Sequence, residues 1–193
     1  MTSPFDFSPF AARRQRLIER LNAAGGGVAV IATAAEVARN RDTHYPYRYD
    51  SYFHYLTGFG EPEAVLVVMA GAQPRSILFC REKDESREIW DGYRYGPEAA
   101  REQFGFDEAH TIGDLERRLP DYLSDQPIVW SDFGYDAAWD QRLSRALATV
   151  RANARAGVGA PGQLRDLRSE LDEMRLIKDA DELDIMRRAA EID

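Results

Sequence analysis

The fold is decided by residues 42–68, which read DTHYPYRYDSYFHYLTGFGEPEAVLVV. The apolar run at residues 64–69, AVLVVM, is typical of a strand that is buried on both faces. Before it, residues 52–58 alternate in character and are rich in aromatic side chains, a pattern that favours a strand. The sequence Gly60-Glu61-Pro62 supplies a turn. We therefore predict two neighbouring strands joined by this turn.

The surrounding sequence extends this sheet. A helix is predicted to begin near Ser8-Pro9 and to stop at the three glycines of residues 25–27, followed by a strand at residues 28–33. The strand SILFC at residues 76–80 completes an antiparallel meander with the two strands above. Further helices are predicted at residues 97–104, 114–122 and 136–150, with strands at residues 108–113 and 127–130. Such alternation indicates an α/β fold with a mixed β-sheet flanked by helices.

The composition changes after residue 150. Residues 151–163 are rich in glycine and alanine, which indicates a connector, and the remaining residues have a helical pattern in which Asp179 or Asp181 caps a second helix. The apolar face of that helix has no partner within the sequence. We therefore predict a first domain at residues 1–162, followed at residues 163–193 by a helical linker and the start of a truncated second domain.

Composition excludes several classes of function. The chain has 193 residues and a formal net charge of −8, so nucleic acid and anionic membranes are not expected as main partners. No apolar run is long enough to span a membrane, and residues 1–10 lack a signal-peptide pattern. Cys80 ends an apolar strand and is expected to be a buried, inert thiol, which suits a reducing cytoplasm. The cluster Arg13, Arg14 and Arg16 is expected to lie on a solvated helix face.

No motif in the chain predicts catalysis or metal binding. The three histidines, His44, His54 and His110, do not have the spacing of metal ligands. Residues 157–162 match G-x-G-x-x-G before a helical segment, but no convincing strand precedes them and Pro161 interrupts the loop, which argues against dinucleotide binding. The five tyrosines between residues 45 and 55 fit either a hydrogen-bonded sheet edge or the wall of a peptide-binding cleft.

Three blocks of sequence resemble the aminopeptidase P family. The first resembles the signature of the family's N-terminal domain, the second matches a further family block, and the third looks like the entry to the "pita-bread" catalytic domain shared with creatinase and prolidase. They occur in the family's order and cover nearly the whole chain. The blocks are residues 42–66, the sequence REIWDG at residues 87–92, and EMRLIK at residues 173–178 with Glu182 and Leu183.

This resemblance implies that the chain is part of an enzyme whose catalytic residues lie in another domain. Enzymes of the family remove an N-terminal residue that precedes proline, using a dinuclear metal centre, usually manganese, that activates a bridging water. The five metal ligands lie in the catalytic domain, so this chain is expected to bind no metal and to be inactive alone. Its expected partners are peptides with proline in second position, its own catalytic domain, and further copies of itself in a dimer or tetramer.

The resemblance also assigns roles to three residues by position. Asp42 matches an acid that reaches into the active-site region and orients a proton relay, although it could simply cap its loop. Trp90 matches an aromatic residue that leans over the site of a neighbouring subunit and contacts substrate, although it could be an ordinary core tryptophan. Arg155 matches a basic residue near the leaving-group side of the cleft. No catalytic and no metal-binding residue is predicted within the chain itself.

Two alternatives remain. The chain could be the N-terminal domain of a prolidase, a creatinase or a pseudoenzyme with the same two-domain plan, although YPYR, YLTGF and EPEA favour aminopeptidase P. It could also be a stand-alone domain that binds a peptide or assembles subunits through its tyrosine-rich surface.

Overall fold

The computed structural model describes residues 6–192, except for the side chain of Asp91. The prediction about a signal peptide therefore falls partly outside the described residues. Six strands and eight α-helices are found in the described part. The strands are β1 (Val28–Ala32), β2 (Val65–Met69), β3 (Arg75–Cys80), β4 (Glu108–Thr111), β5 (Ile128–Ser131) and β6 (Gln163–Asp166). The helices are α1 (Ser8–Ala23), α2 (Ser51–Thr57), α3 (Glu85–Asp91), α4 (Gly96–Phe104), α5 (Leu115–Leu123), α6 (Ala137–Ala152), α7 (Arg168–Leu176) and α8 (Ala180–Ala190).

The strands form one mixed sheet in the order β4-β3-β2-β1-β5-β6. β2 is antiparallel to both of its neighbours, whereas the other neighbouring pairs are parallel. Five strands therefore end at the same edge of the sheet. The predicted fold class, an α/β fold with a mixed sheet between helices, is confirmed.

Alternate side chains of each central strand enter different cores. Val28 and Val30 of β1 pack with α5 and α6, whereas Ala29 and Ile31 pack on the other face with α1, α2, α4 and α7. Burial on both faces explains the continuous apolar runs of β1, β2 and β3, because a strand with period-two alternation between two cores needs apolar residues at every position.

The prediction of a strand at residues 52–58 is wrong, since α2 lies there. The side chain of Asp50 accepts hydrogen bonds from the backbone N–H groups of Tyr52 and Phe53, and Gly58 ends the helix in the left-handed conformation with φ +65°. Both features are strong helix-end signals. The aromatic composition favoured a strand, but the two caps and the burial of Phe53 and Leu56 at helical spacing decide the outcome.

Other elements also differ from the predictions. The antiparallel meander exists, but β1 occupies the place assigned to residues 52–58. Helix α3 was not predicted. Residues 163–166 form the edge strand β6 rather than the beginning of a helix, and β6 pairs with β5, so the sheet continues past residue 162. The domain boundary at residue 162 stays a prediction.

Asp179 caps α8 in a reciprocal capping box with Glu182. Of the two predicted caps, Asp179 and Asp181, the first is therefore confirmed.

Two of the three clustered arginines are buried, which corrects the prediction of a solvated face. The guanidinium of Arg14 donates hydrogen bonds to the carbonyl oxygens of Leu56, Phe104 and Gly105, at 3.0, 2.9 and 2.6 Å. These carbonyls belong to the C-terminal turns of α2 and α4, which lack partners within their own helices. Burial lowers the pKa of Arg14 to about 10, although the charge of Asp107 opposes this shift. Of the three arginines, Arg16 is exposed.

Candidate functional site at the carboxyl ends of the strands

A crevice lies where the carboxyl ends of β1 and β5 adjoin. The chain leaving β1 leads to α2 on one face of the sheet, and the chain leaving β5 leads to α6 on the other face. In open α/β sheets such a divergence leaves a crevice at the strand ends, where ligands preferentially bind. The crevice is lined by Thr33, Asp50, Asp132 and Tyr135, among others. We take this edge as the candidate functional site.

Asp132 is the most perturbed acid at this edge. It follows β5, is only 8% exposed, and its Oδ1 lies 3.4 Å from the hydroxyl oxygen of Ser131. Burial raises its pKa to about 6, and the negative charge of Asp50 adds to the shift. Asp50 is fixed by its capping bonds to α2. The lining of the crevice thus carries a carboxyl group whose pKa lies near 6.

The loop at residues 33–50 forms one wall of the crevice. The hydroxyl of Tyr47 donates to the carbonyl of Ala34 at 3.2 Å and lies 2.8 Å from the hydroxyl of Thr33. Burial raises the pKa of Tyr47 despite its bond to Thr33. A backbone hydrogen bond from Tyr45 to Val37 closes the outer part of the loop. Tyrosine therefore pins the base of the loop to the end of β1, and the turn beyond it projects into solvent.

Asp42 lies on this projecting turn. Its side chain is exposed and makes no hydrogen bond or ion pair with any residue between 6 and 192. The turn is capped by Asn40 instead, whose Oδ1 accepts hydrogen bonds from the backbone N–H groups of Asp42 and Thr43. The alternative in which Asp42 caps its own loop is therefore wrong. Its role in a proton relay stays a prediction.

Trp90 lies on α3, which follows β3 at the same edge of the sheet. Its side chain is 86% exposed, so the alternative of an ordinary core tryptophan is wrong. Asp84 caps α3 by accepting hydrogen bonds from the N–H groups of Ser86 and Arg87. The Asp84 cap was the signal in the sequence that could have predicted this helix.

Arg155 lies at the opposite end of the sheet. It belongs to the 3₁₀ turn Asn153–Ala156 after α6, where it is exposed. Four residues later, Gly159 donates its N–H to Oδ1 of Asp125, which precedes β5. The fold therefore places Asp42 and Trp90 on the connections that follow the carboxyl ends of β1 and β3, and places Arg155 at the amino ends of the parallel strands. Within this chain, Arg155 does not join the other two.

The remaining candidates have structural surroundings. His54 stacks on Tyr49 with ring centroids 3.9 Å apart, and burial lowers its pKa. Cys80 is a free, buried thiol whose pKa burial raises to about 12, as expected of an inert cysteine. Residues 157–162 join a 3₁₀ turn to the strand β6, not a strand to a helix, so the context of a dinucleotide-binding loop is missing.

Most of the clustered tyrosines make hydrogen bonds or ring contacts. The hydroxyl of Tyr52 donates to Asp172 at 2.6 Å and that of Tyr55 donates to the carbonyl of Met174 at 3.1 Å, so both tie α2 to α7.

Among residues 6–192, no group of three or more His, Cys, Asp or Glu side chains is arranged to hold a metal ion. In the same part of the chain, no helix is both long and apolar enough to cross a membrane.

Comparison with known proteins decides the family. Residues 10–130 match the family model described as "Aminopeptidase P, N-terminal domain". The chain belongs to the aminopeptidase P N-terminal domain family. It is 40% identical over 185 residues to the Xaa-Pro aminopeptidase of Escherichia coli, which covers 95% of this chain and 42% of that protein. The Xaa-Pro aminopeptidase of Haemophilus influenzae is 32% identical over 184 residues, covering 95% of this chain and 40% of that protein.

Solved structures of the family agree with this fold. An Escherichia coli aminopeptidase P variant in complex with substrate matches with a TM-score of 0.91 and 38% identity, covering 98% of this chain and 43% of that chain. The aminopeptidase PepP of Pseudomonas aeruginosa matches with a TM-score of 0.92 and 39% identity, covering 97% and 42%. The chain therefore spans about two fifths of the length of these aminopeptidases and corresponds to their N-terminal part.

Proposed function

We propose that this chain is the non-catalytic N-terminal domain of a metal-dependent Xaa-Pro aminopeptidase, which releases an N-terminal residue that precedes proline. The observation that supports this most is its 40% identity, over 95% of its length, to the N-terminal part of the Escherichia coli Xaa-Pro aminopeptidase. The substrates are peptides with proline in second position. The bond before proline is a tertiary amide and resists ordinary peptidases, because proline fixes φ and lacks an N–H.

The proposed metal centre, a dinuclear manganese site, belongs to a catalytic domain outside this chain. The residues of this chain do not fit such a centre, since the part between residues 6 and 192 offers no cluster of three ligating side chains. No chemical step is therefore assigned to a metal held here. What the chain supplies in this proposal is one wall of the substrate cleft, with Asp42 at its tip, and surfaces for assembly into a dimer or tetramer in the cytoplasm.

Trp90 and Arg155 complete the proposed substrate contacts. Trp90 is suited to contact a neighbouring subunit, because its large side chain is 86% exposed on a short helix. Arg155 is exposed at the amino ends of the strands, so any contact between it and substrate requires the catalytic domain or another subunit at that end. Both assignments depend on the complete, assembled enzyme.

The test compares this chain with the protein encoded by the longer reading frame. We expect that frame to continue past residue 193 into a D…D…H…E…E set of metal ligands. The longer protein should release the first residue of an Xaa-Pro peptide in the presence of manganese, and the 193-residue chain should not. Metal-dependent hydrolysis by the 193-residue chain alone would overturn the proposal, and so would a stop codon directly after residue 193.

A second candidate function is a stand-alone domain that binds a peptide. It is favoured by a cleft of about 470 Å³ between α1, α2 and α8, whose lining includes Arg48, Tyr49 and Arg175 together with Glu182 and Asp184. An aromatic ring beside charges of both signs suits recognition of a peptide. Titration of the 193-residue chain with an Xaa-Pro peptide distinguishes the two functions. Saturable micromolar binding would favour the stand-alone domain, and its absence would favour the domain of an aminopeptidase.

A further inference from the structure

The segment of residues 81–95 leaves the sheet after β3 and returns to the body of the protein at α4. At its tip, Ile89 is 81% exposed, Tyr93 is 61% exposed, and Trp90 lies between them. Three large apolar side chains on one short projection form an unusual surface. Helix α3 within it has only seven residues, too few to be stable without outside support. Its orientation must therefore be fixed by contacts at the base of the segment.

Glu61 forms the inner of two such contacts. One of its carboxylate oxygens, Oε1, accepts a hydrogen bond from the backbone N–H of Tyr95 at 2.8 Å. The other, Oε2, lies 3.6 Å from Nη2 of Arg81. Glu61 and Arg81 are both largely buried. A single carboxylate, supplied by the turn before β2, therefore joins the first and last residues of the segment in a setting where water competes little.

Glu88 forms the outer contact, about midway along the segment. Its Oε1 accepts a hydrogen bond from the backbone N–H of Arg94 at 2.9 Å and a second one from the ammonium group of Lys83. The same ammonium donates to the carbonyl of Arg94 at 3.1 Å and lies 3.9 Å from the ring centroid of Tyr93. The hydrogen bond between the side chains of Lys83 and Glu88 lowers the pKa of the acid and raises that of the base.

We propose that Glu61 and Glu88 are positioning residues, which close the segment of residues 81–95 at two levels and hold Trp90 in a fixed direction. This inference rests on the proposed function, in which Trp90 contacts substrate in the assembled enzyme. It also gives a physical reason for two separate sequence motifs. The first glutamate of GEPEA, Glu61, and the glutamate of REIWDG, Glu88, are 27 positions apart, and each joins the two ends of the same segment.

Hydrogen exchange in the complete enzyme tests the closure of the segment. Peptides covering residues 84–95 should exchange about tenfold faster in Glu88→Ala, because loss of a charge-assisted hydrogen bond raises the population of the locally opened state by about that factor. Glu61→Gln, which keeps the shape of a buried side chain and so preserves folding, should accelerate the same amides by about threefold. Glu85→Gln, on the exposed side of α3, is the matched control and should leave exchange unchanged.

Coupling between the two side chains of the outer contact sharpens the test. Lys83 donates both to Glu88 and directly to the carbonyl of Arg94, so Lys83→Ala should accelerate exchange by itself and the double variant should fall short of full additivity only by the part that passes through Glu88. Unchanged exchange in Glu88→Ala and Glu61→Gln would overturn the inference.

Kinetics of the complete enzyme test whether this closure matters for substrate. We expect Glu88→Ala to raise the KM for an Xaa-Pro peptide about tenfold with kcat nearly unchanged, since a misdirected contact weakens substrate and transition state alike. Glu88→Gln should recover most of this loss, because its amide oxygen still accepts both hydrogen bonds. Simple loss of folded enzyme would instead lower the apparent kcat and leave KM unchanged.

The inference and the proposed function can fail separately. A wild-type enzyme that does not hydrolyse Xaa-Pro peptides refutes the proposed function, while the exchange experiment still decides whether the two glutamates close the segment. Faster exchange in Glu88→Ala with unchanged kinetics would refute the positioning role of Glu88 while leaving the aminopeptidase intact.

Discussion

Arg13 and Asp179, 166 positions apart in the chain, form a two-point ion pair: Nε and Nη2 of the guanidinium lie 3.1 and 2.9 Å from Oδ2 of the carboxylate. The side chain of Arg13 is largely buried and its guanidinium also lies over the ring of Tyr55, 4.5 Å from the centroid. Asp179 meanwhile caps α8. One carboxylate therefore begins the last helix and ties it to the first.

Replacing Asp179 should separate its two roles. Asp179→Asn keeps a good N-cap but loses the ion pair, and we expect a loss of about 1 kcal/mol in the free energy of unfolding. Asp179→Ala loses both roles and leaves the buried Arg13 with fewer partners, at a cost of about 2–3 kcal/mol. Urea denaturation measures both values, with Asp181→Asn as the exposed control. Equal losses in the two variants would contradict the separate roles.

The same ion pair predicts a dependence on pH. Burial by itself would raise the pKa of Asp179, but the hydrogen bonds from the Glu182 N–H and from Arg13 outweigh it and lower the pKa. A carboxyl whose pKa is lowered on folding stabilises the protein above the ordinary Asp pKa of about 4, and this contribution is lost as pH falls through the lowered value. The difference in stability between wild type and Asp179→Asn should therefore shrink below about pH 4.

Substitution of Arg14 should be among the most damaging single changes. Arg14→Met leaves the buried carbonyls of Leu56, Phe104 and Gly105 without this donor, and we expect a loss of about 3–5 kcal/mol in the free energy of unfolding. Arg14→Lys should lose less, because one ammonium can still reach some of these oxygens but cannot match the fork of a guanidinium. Arg16→Met, on the exposed side of α1, is the control. A loss in Arg14→Met no larger than that in Arg16→Met would contradict this role.

Asp132 should have the opposite pH behaviour to Asp179. Its pKa is raised to about 6, chiefly by burial and further by the charge of Asp50, so the folded state binds a proton that the unfolded state releases near pH 4. The contribution of Asp132 to the free energy of unfolding is therefore most favourable below about pH 4 and declines as pH rises to about 6. Asp132→Asn should remove this decline and raise the free energy of unfolding at pH 7 by up to about 3 kcal/mol.

Thermal unfolding at pH 5 and pH 7 checks the Asp132 prediction. Asp121→Asn, which replaces an exposed acid on α5, should show no such difference between the two pH values. Direct titration of the Asp132 carboxyl carbon by NMR gives the pKa itself, and a value near 4 would contradict the expectation.

In the complete enzyme, Asp42→Asn and Trp90→Ala should lower kcat/KM for an Xaa-Pro peptide. Both side chains are exposed in the single chain, so neither change should alter the free energy of unfolding of the domain by more than about 0.5 kcal/mol. We expect the oligomer to persist in both variants, because each change alters a single side chain. We expect kcat/KM to fall about tenfold or more in each variant, as for the loss of one positioned contact. Steady-state kinetics and size-exclusion chromatography provide the measurements, and unchanged kinetics in both variants would refute the assigned roles.

Sequence patterns predicted most of the sheet and helices because they depend on local rules. Three consecutive glycines after α1, the apolar runs of β1 to β3, and the spacing of Trp139, Leu143 and Leu147 along α6 each identify an element without knowledge of its neighbours. The strand predicted at residues 52–58 is wrong because the aromatic composition favours a strand, whereas the two helix caps that flank these residues favour the helix that forms.

Candidate site residues were predictable only as positions in motifs. Asp42 and Trp90 were identified from the blocks that contain them, but nothing in their spacing predicts that β1 and β3 carry them to the same edge of the sheet. Asp132 was missed altogether, since a single aspartate after a short apolar run carries no distinctive signal. Its raised pKa arises from burial beside Asp50, a residue 82 positions earlier in the chain.

The sequence by itself determined the family, the α/β class and the apolar strands at the centre of the sheet, because motifs and hydrophobic periodicity are properties of neighbouring residues. Only the tertiary structure decided which charges are buried and what they bind. Arg13, Arg14, Glu61 and Asp132 resemble ordinary surface residues in the sequence. Each is buried because its partners come from distant segments, and the free energy of a charge depends on the groups and solvent that surround it in three dimensions.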